Sequence, residues 1–215
     1  MKLVIFDFDG TLADTETLIT QTMMKTIEAM HLEPRSREEI RAMIGLPLKE
    51  TFTRLIPMTD ATGDACARLY QEIFARDNQP GVVQLFPHVR ETLQKLYDAG
   101  LTLTIATSRQ RFSLMAFLRD MQIEHLFSHI VTVNDVEHAK PAPDMVVQTM
   151  ERMGATPDET MMVGDAVYDI QMGVNAGVHT TAVTYGNGSR EEMEECGAQH
   201  VIDDFADLYQ VIVYM

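Results

Sequence analysis

The sequence predicts an α/β fold in which a doubly wound parallel sheet carries a small all-helical insert after its first strand. Residues 3–6, Leu-Val-Ile-Phe, form a short apolar run, the pattern of a strand buried on both faces of a parallel sheet. Strand and helix patterns alternate in the last 130 or so residues, as in sheets with right-handed crossovers, and residues 15–84 show no strand pattern. We therefore expect an α/β core of residues 1–14 and 86–215 and a helical cap of residues 15–85.

Four helices are predicted in the insert. In the first of them apolar residues recur at spacings of three and four, the period of an amphipathic helix. Pro34, Gly45 and Pro57 interrupt the helical pattern and mark the connections. The predicted helices cover residues 14–31, 37–44, 48–56 and 64–77.

The chain after the insert alternates between helices and strands. Gly100, Gly154 and Gly177 directly follow predicted helices, where glycine is a common C-terminal cap. The strand segments are rich in β-branched residues. Strands are expected at residues 101–106, 130–133, 160–163, 180–184 and 201–202, and helices at 89–99, 111–121, 144–153, 167–176, 190–196 and 205–213.

Composition and charge exclude several classes of function. The 215 residues carry a net charge of −15, which excludes a nucleic-acid-binding protein that relies on basic patches. No apolar run approaches the roughly 20 residues of a membrane span, and Cys66 and Cys196 match no zinc-binding spacing. The first residues do not have the pattern of a signal peptide. We expect a cytoplasmic protein, a monomer or weak dimer, without a nucleic-acid or membrane partner.

Two carboxylates stand at the carboxyl end of the first strand. Asp7 and Asp9 are two residues apart, so in a strand their side chains point the same way, and Gly10 allows a sharp turn after them. Two like charges about 4 Å apart repel by roughly 4 kcal/mol at an effective dielectric constant of 20. A cation offsets that repulsion, and oxygen ligands suit Mg²⁺. The alternative is that the two residues only end a strand and begin a loop.

Three further strand ends carry polar residues that suit a phosphate site. Thr107 and Ser108 follow the second strand and offer hydroxyl and N–H groups. Lys140 lies in a proline-stiffened loop, Ala-Lys-Pro-Ala-Pro-Asp, which can hold it near an anion. Asp165 and Asp169 are four residues apart at a helix start, where both can face one metal. Ligands of such sheets bind at the carboxyl ends of the strands, although each string also suits a loop or a helix cap.

The four strings DFDGTLADT, TS, KPAPD and GDAVYD, taken in order, resemble motifs I to IV of the haloacid dehalogenase-like hydrolases. The helical insert resembles the C1 cap of that family. The resemblance implies that Asp7 is the nucleophile that forms an aspartyl-phosphate and that Asp9 is the general acid and base. It also implies that Lys140 neutralises charge, that Asp165 binds Mg²⁺ together with Asp7 and the main-chain carbonyl of Asp9, and that Asp169 supports the metal.

The strings are most similar to those of the phosphoglycolate phosphatase branch of the family. That similarity implies a Mg²⁺-dependent phosphatase acting on a small phosphorylated metabolite, with phosphoglycolate as the first expectation. The alternatives are an inorganic pyrophosphatase, a sugar-phosphate phosphatase or β-phosphoglucomutase relative, and, from a different class, a catalytically idle phosphate-binding regulatory protein. The residues expected to bind phosphate or substrate are Gly10, Thr11, Thr107, Ser108, Arg109 and Lys49, the last two as cations for a second anion.

Overall fold

The sheet has six strands, and all five pairs of neighbours run parallel. The computed structural model describes residues 1–215. The strands are β1 (Leu3–Phe6), β2 (Thr102–Thr107), β3 (His129–Thr132), β4 (Thr160–Gly164), β5 (His179–Val183) and β6 (His200–Ile202). Their order across the sheet is β3-β2-β1-β4-β5-β6. The predicted doubly wound parallel sheet is confirmed.

Ten α-helices accompany the sheet. Five of them lie between β1 and β2, and the first four occupy the region where the sequence predicts only helices. The helices are α1 (Glu16–Ala29), α2 (Arg37–Arg41), α3 (Leu48–Leu55), α4 (Asp60–Asp77), α5 (Val89–Asp98), α6 (Arg111–Asp120), α7 (Asp144–Met153), α8 (Val167–Ala176), α9 (Arg190–Glu195) and α10 (Leu208–Val213).

Three helices differ from their predicted extent by three or four residues. The helix α2 ends at Arg41, whereas residue 44 was predicted as its end. The helix α4 begins four residues earlier than predicted because Thr59 accepts a hydrogen bond from the N–H of Thr62 and caps it. The last predicted helix divides into a 3₁₀ turn at Phe205–Asp207 and the helix α10. The division into an α/β core and a cap at residues 14 and 85 stays a prediction.

Strand β1 is buried on both faces, as its apolar run predicts. Leu3 and Ile5 point to one face and pack in a cluster with side chains of α7 and α8. Val4 and Phe6 point to the other face and pack with side chains of α5, α6 and α10. Each fully buried side chain of this kind stabilises the fold by about 1.5–3 kcal/mol, so β1 anchors both helical layers.

The helices α1–α4 lie against α6 through a group of aromatic side chains. Tyr70 and Phe74 on α4 stack at 5.7 Å between ring centroids. Phe74 meets Phe117 of α6 edge-on at 6.2 Å, and Phe117 lies 5.6 Å from Phe8, two residues beyond β1. The helical insert is thereby held above the carboxyl ends of the central strands.

The position of β1 in the strand order defines where a ligand is expected. From β1 the chain leads to β2 and β3 on one side and then crosses over to β4, β5 and β6 on the other. The crevice at such a reversal is the usual ligand site of an open α/β sheet.

None of the ten helices has both the length and the apolar character that a membrane-spanning helix requires.

Candidate active site

A buried lysine joins two of the predicted carboxylates. The Nζ atom of Lys140 donates hydrogen bonds to Oδ1 of Asp7 and to Oδ1 of Asp169, both at 2.7 Å. All three side chains are almost completely enclosed. The other oxygen of Asp169 accepts from the N–H of Ala166 at 3.1 Å. Asp7 thus has one oxygen held by Lys140, and its second oxygen accepts no hydrogen bond from the protein.

Asp165 is fixed by donors from two loops. Thr11 donates its hydroxyl to Oδ1 at 2.7 Å, and Asn187 donates both its backbone N–H at 2.8 Å and its side-chain amide at 2.7 Å to Oδ2. Thr11 was expected to bind phosphate, whereas the structure shows it orienting a carboxylate. The sequence offered no signal for Asn187, which follows β5 in a Gly-Asn-Gly string typical of a turn. Its buried Oδ1 has no hydrogen-bond partner.

Two glycines allow the strand ends to approach each other this closely. At Gly10, where φ is +86°, a Cβ would lie 2.1 Å from Oδ2 of Asp165 and 2.4 Å from the amide nitrogen of Asn187. At Gly164 a Cβ would lie 2.2 Å from the Cβ of Asp169. Any side chain at either position would separate the carboxylates.

We call Asp7, Lys140, Asp165 and Asp169 the acidic floor; Asp7 is its member that lines a cavity extending toward the helices α1–α4. The pKa of Asp7 is raised to about 8, chiefly by burial; Lys140 opposes the shift, and the charges of Asp169, Asp165 and Asp9 add to it. Burial and then the charge of Asp169 raise the pKa of Asp165 to about 7, against the hydrogen bonds from Thr11 and Asn187. When ionised, the carboxylates of the acidic floor repel one another, so they favour the binding of a cation.

The acidic floor fits a divalent metal ion. Carboxylate oxygens of Asp7, Asp165 and Asp169 all lie within 4.8 Å of one another. Three carboxylates against the one ammonium of Lys140 leave two negative charges, which one divalent cation balances. The donors are all oxygen, the ligand type that Mg²⁺ prefers. The carboxylate of Asp9, for which only the main-chain carbonyl was predicted as a ligand, lies outside this cluster.

Asp9 is paired with Arg109. The guanidinium donates from Nε to Oδ2 at 2.9 Å and from Nη2 to Oδ1 at 2.6 Å. Its Nη1 donates to the hydroxyl of Ser113 at 2.8 Å. The guanidinium carbon lies 4.9 Å from the ring centroids of both Phe74 and Phe117, in cation–π contact with each. Arg109 was expected to bind substrate; the structure brings it to the cavity wall, where its charge is neutralised by Asp9.

The second strand end faces the same cavity. Thr107 is buried, and its hydroxyl oxygen accepts from the N–H of Arg109 at 3.2 Å, which leaves the hydroxyl proton for a ligand. Ser108 donates its hydroxyl to the carbonyl of Gly45 at 2.6 Å and so ties this loop to the helical insert. Both residues line the cavity, as expected for phosphate ligands, but only Thr107 keeps a free donor on its side chain.

One predicted residue is not brought to the site. Lys49, on α3, forms ion pairs of 3.0 Å with Asp60 and Asp64 of α4, and it is not among the residues that line the cavity. Its position in the sequence, two residues after Pro47 at the start of the helix predicted at 48–56, gave no information on the direction of the side chain.

The family comparison matches most of the chain. Residues 4–183 match the family model of the haloacid dehalogenase-like hydrolases. The matched range contains β1 to β5 and the whole acidic floor.

Curated relatives and a solved structure agree in family and fold. The chain is 33% identical over 212 residues to pyrophosphatase PpaX from Oceanobacillus iheyensis, covering 99% of this chain and 97% of the relative. It is 35% identical over 211 residues to "Probable phosphatase IndB" from Dickeya dadantii, covering 96% and 91%. It is similar to the crystal structure of a "Putative haloacid dehalogenase-like hydrolase" from Bacteroides fragilis, with a TM-score of 0.90 and 29% identity over 96% of this chain and 99% of the other.

Proposed function

Because this chain belongs to the haloacid dehalogenase-like hydrolases and is a phosphatase of that family, we propose that it hydrolyses a small phosphate monoester through a phosphoryl group carried by Asp7. The observation that supports this most strongly is the acidic floor, in which Lys140 holds one oxygen of Asp7 at 2.7 Å. The second oxygen of Asp7 accepts no protein hydrogen bond, and Asp7 lines the cavity.

The first half of the proposed reaction transfers the phosphoryl group. A carboxylate oxygen of Asp7 attacks phosphorus, the bond from phosphorus to the ester oxygen breaks, and the alcohol departs. Lys140 stays beside Asp7 and offsets the negative charge that the phosphoryl group brings. The free hydroxyl of Thr107 donates a hydrogen bond to a phosphate oxygen. Such positioning and charge neutralisation supply most of the catalysis in phosphoryl transfer.

Asp9 is the proposed proton carrier. It gives a proton to the ester oxygen that leaves, and in the second half of the reaction it takes one from the water that attacks the phosphoryl group on Asp7. Inorganic phosphate then departs and the carboxylate is restored. Arg109 binds both oxygens of Asp9, so each proton transfer requires one of these hydrogen bonds to open. We assign Arg109 the role of positioning Asp9 for both halves.

We propose Mg²⁺ as the metal and Asp7, Asp165 and the main-chain carbonyl of Asp9 as its ligands. When bound, it supplies charge stabilisation to the phosphate oxygens. Thr11 and Asn187 orient Asp165 for this role. Asp169 positions Lys140 and supports the metal from the next shell, since both of its oxygens already accept hydrogen bonds from Lys140 and Ala166.

The substrate is the least constrained part of the proposal. The sequence strings favour phosphoglycolate. The similarity to a pyrophosphatase over nearly the whole chain supports inorganic pyrophosphate as the alternative. Both compounds carry a second anion besides the phosphoryl group that is transferred.

A screen of phosphate compounds tests the proposed function. The purified protein is assayed with Mg²⁺ and with EDTA against phosphoglycolate, pyrophosphate, hexose phosphates and simple alkyl phosphates. We expect release of inorganic phosphate from at least one of them in Mg²⁺ and none in EDTA. Turnover that persists in EDTA after dialysis contradicts the metal assignment, and no phosphate release from any compound contradicts the phosphatase assignment to this site.

A further inference from the structure

The cavity above the acidic floor has two chemically different ends. Its volume is about 350 Å³, near the lower limit of the roughly 300–1,000 Å³ typical of ligand pockets. Asp7, Thr107 and Ser108 form the end where the phosphoryl group is proposed to bind. The opposite side is built from α1, α3, α4 and α6. We call it the apolar wall, defined by Ile19, Met23, Leu48, Tyr70, Phe74 and Phe112.

No unpaired cation faces the apolar wall. Arg109 is the only cationic residue that lines the cavity, and Asp9 occupies its guanidinium through two short hydrogen bonds. Lys140 is enclosed beneath Asp7 with no exposed side-chain surface. Lys49 is paired with Asp60 and Asp64 outside the cavity. The other polar side chains that line the cavity away from Asp7 are uncharged, namely Thr51, Gln71, Asn78, Gln110 and Ser113. A second anion on a substrate would therefore be desolvated there without a compensating charge, which is costly.

The apolar surface of the cavity extends to its rim, where it is exposed to solvent. Phe112, in the first turn of α6, is 66% exposed although it is a large aromatic residue. Most exposed apolar side chains need no explanation, but this one lines the same cavity as Ile19 and Leu48. An exposed apolar patch that is continuous with a cavity is a common sign of a ligand-binding groove.

We infer that the substrate is a phosphate monoester whose alcohol part is neutral and apolar, an alkyl or aryl group that packs against the apolar wall. This inference rests on the proposed function and gives its substrate class. It differs from the expectation of phosphoglycolate or pyrophosphate, since each of these would place an anion against the apolar wall. A phosphate dianion bound near Asp7 and an apolar group bound under α1, α3 and α4 match the two ends of the cavity.

A matched pair of esters tests the charge preference directly. Phosphoglycolate and n-propyl phosphate differ by one heavy atom and in whether the group on the ester methylene is a carboxylate or an ethyl group. We expect kcat/KM to be at least tenfold higher for n-propyl phosphate. In the series from ethyl to hexyl phosphate, kcat/KM should rise by about fourfold for each methylene buried, until the cavity is filled. A preference for phosphoglycolate or pyrophosphate, or a flat alkyl series, overturns the inference.

A cation placed in the apolar wall should reverse the preference. Leu48 is partly buried at the start of α3, so Leu48→Lys can reach solvent without unfolding the helix. We expect it to shift the ratio of the two kcat/KM values toward phosphoglycolate by tenfold or more. Val82→Lys, at an exposed position outside the cavity, adds the same charge and should leave the ratio unchanged. Equal shifts in the two variants would mean that bulk charge decides and would overturn the inference.

Binding measurements separate this inference from the proposed function. n-Butylphosphonate and 3-phosphonopropionate are a size-matched pair that cannot be hydrolysed as esters, and calorimetry gives their affinities even if no ester is turned over. We expect n-butylphosphonate to bind at least tenfold more tightly in the presence of Mg²⁺. Phe112→Ser, at an exposed rim position where folding is not at risk, should reduce that difference several-fold. Equal affinities, or tighter binding of the carboxylate, overturn the inference whether or not the protein is active.

Discussion

The acidic floor and the apolar wall lie on opposite sides of one cavity and are built by different means. In the acidic floor, residues from two strand ends and one loop converge, and nearly every charged atom has a partner within about 3 Å. In the apolar wall, side chains from four helices contribute surface, and none of the six carries a charge. The difference suggests that the floor performs a reaction common to the family and that the wall selects the compound on which it acts.

If the acidic floor alone performs the chemistry, Asp7→Asn should have the largest effect of any single change. The amide has nearly the same shape as the carboxylate but is a poor nucleophile, so we expect kcat to fall by more than about a thousandfold. Steady-state phosphate release is the measurement. Asp14→Asn, at an exposed position on the same stretch of chain, is the control and should keep full activity.

Removing a cation from the floor is expected to cost more stability than removing one from an exposed ion pair of the helical insert. Lys140→Gln removes the cation between Asp7 and Asp169 and leaves buried carboxylates without a partner, which costs about 3–5 kcal/mol of folding free energy. Chemical denaturation of the metal-free protein measures it. Lys49→Gln, which removes a solvent-exposed ion-paired lysine, should leave the denaturation midpoint almost unchanged. Similar losses in both variants would contradict the distinction.

Arg109 lies between the acidic floor and the apolar wall. Replacing it tests whether it positions Asp9 or binds the substrate. Because the guanidinium holds Asp9, Arg109→Ala should lower kcat for n-propyl phosphate and for phosphoglycolate alike, by about tenfold to a hundredfold, the effect of losing a charge-assisted hydrogen bond. Arg111→Ala, a more exposed arginine two residues later, is the control. If KM for phosphoglycolate alone rises, Arg109 binds a substrate carboxylate instead, and the apolar wall does not set the substrate class.

The last prediction is a pH dependence of stability in the metal-free protein. The pKa values of Asp7 and Asp165 are raised to about 8 and about 7 from an ordinary value of 3.8, so the folded protein keeps these protons to higher pH than the unfolded chain. Their contribution to stability is complete below about pH 4 and is lost as the pH rises through 7 and 8.

We therefore expect the Tm of the metal-free wild type to fall between pH 5 and 9 by more than that of Asp165→Asn, whose amide does not titrate. Mg²⁺ should raise the Tm of the wild type increasingly as the pH rises over that range, because the ion takes the place of the protons. Parallel Tm profiles for the two proteins would show that Asp165 titrates normally.

The sequence predicted the floor better than the wall, for a physical reason. The short apolar run of β1, the carboxylates after it and the later strand ends are local patterns, and parallel strands bring their carboxyl ends to one edge. Topology predicted that Asp7, Lys140, Asp165 and Asp169 lie at one edge of the sheet, and the resemblance to the family's motifs predicted that they form one site. Their catalytic and metal-binding roles remain proposals, whereas the family and the parallel sheet are confirmed.

The remaining features depend on side-chain directions that no local pattern carries. The pairing of Asp9 with Arg109 spans 100 residues, and Asn187 reaches Asp165 from a loop whose string indicates only a turn. Lys49 lies on the helix that faces α4, so its charge is neutralised by ion pairs with Asp60 and Asp64. The apolar wall is assembled from α1, α3, α4 and α6, whose apolar residues suit an ordinary helical core equally well when only the sequence is known.

The central claim, that Asp7 carries the phosphoryl group, is tested most directly by trapping the intermediate. The protein is mixed with Mg²⁺ and excess ester, quenched within a single turnover, and treated with borohydride, which reduces an acyl phosphate to a primary alcohol but leaves a free carboxylate intact. Peptide mass mapping then locates the reduced residue. The account predicts reduction at Asp7, and not at Asp9, only when ester and Mg²⁺ are both present. Reduction at another residue, or its absence during continuing turnover under conditions where the acyl phosphate accumulates, would contradict it.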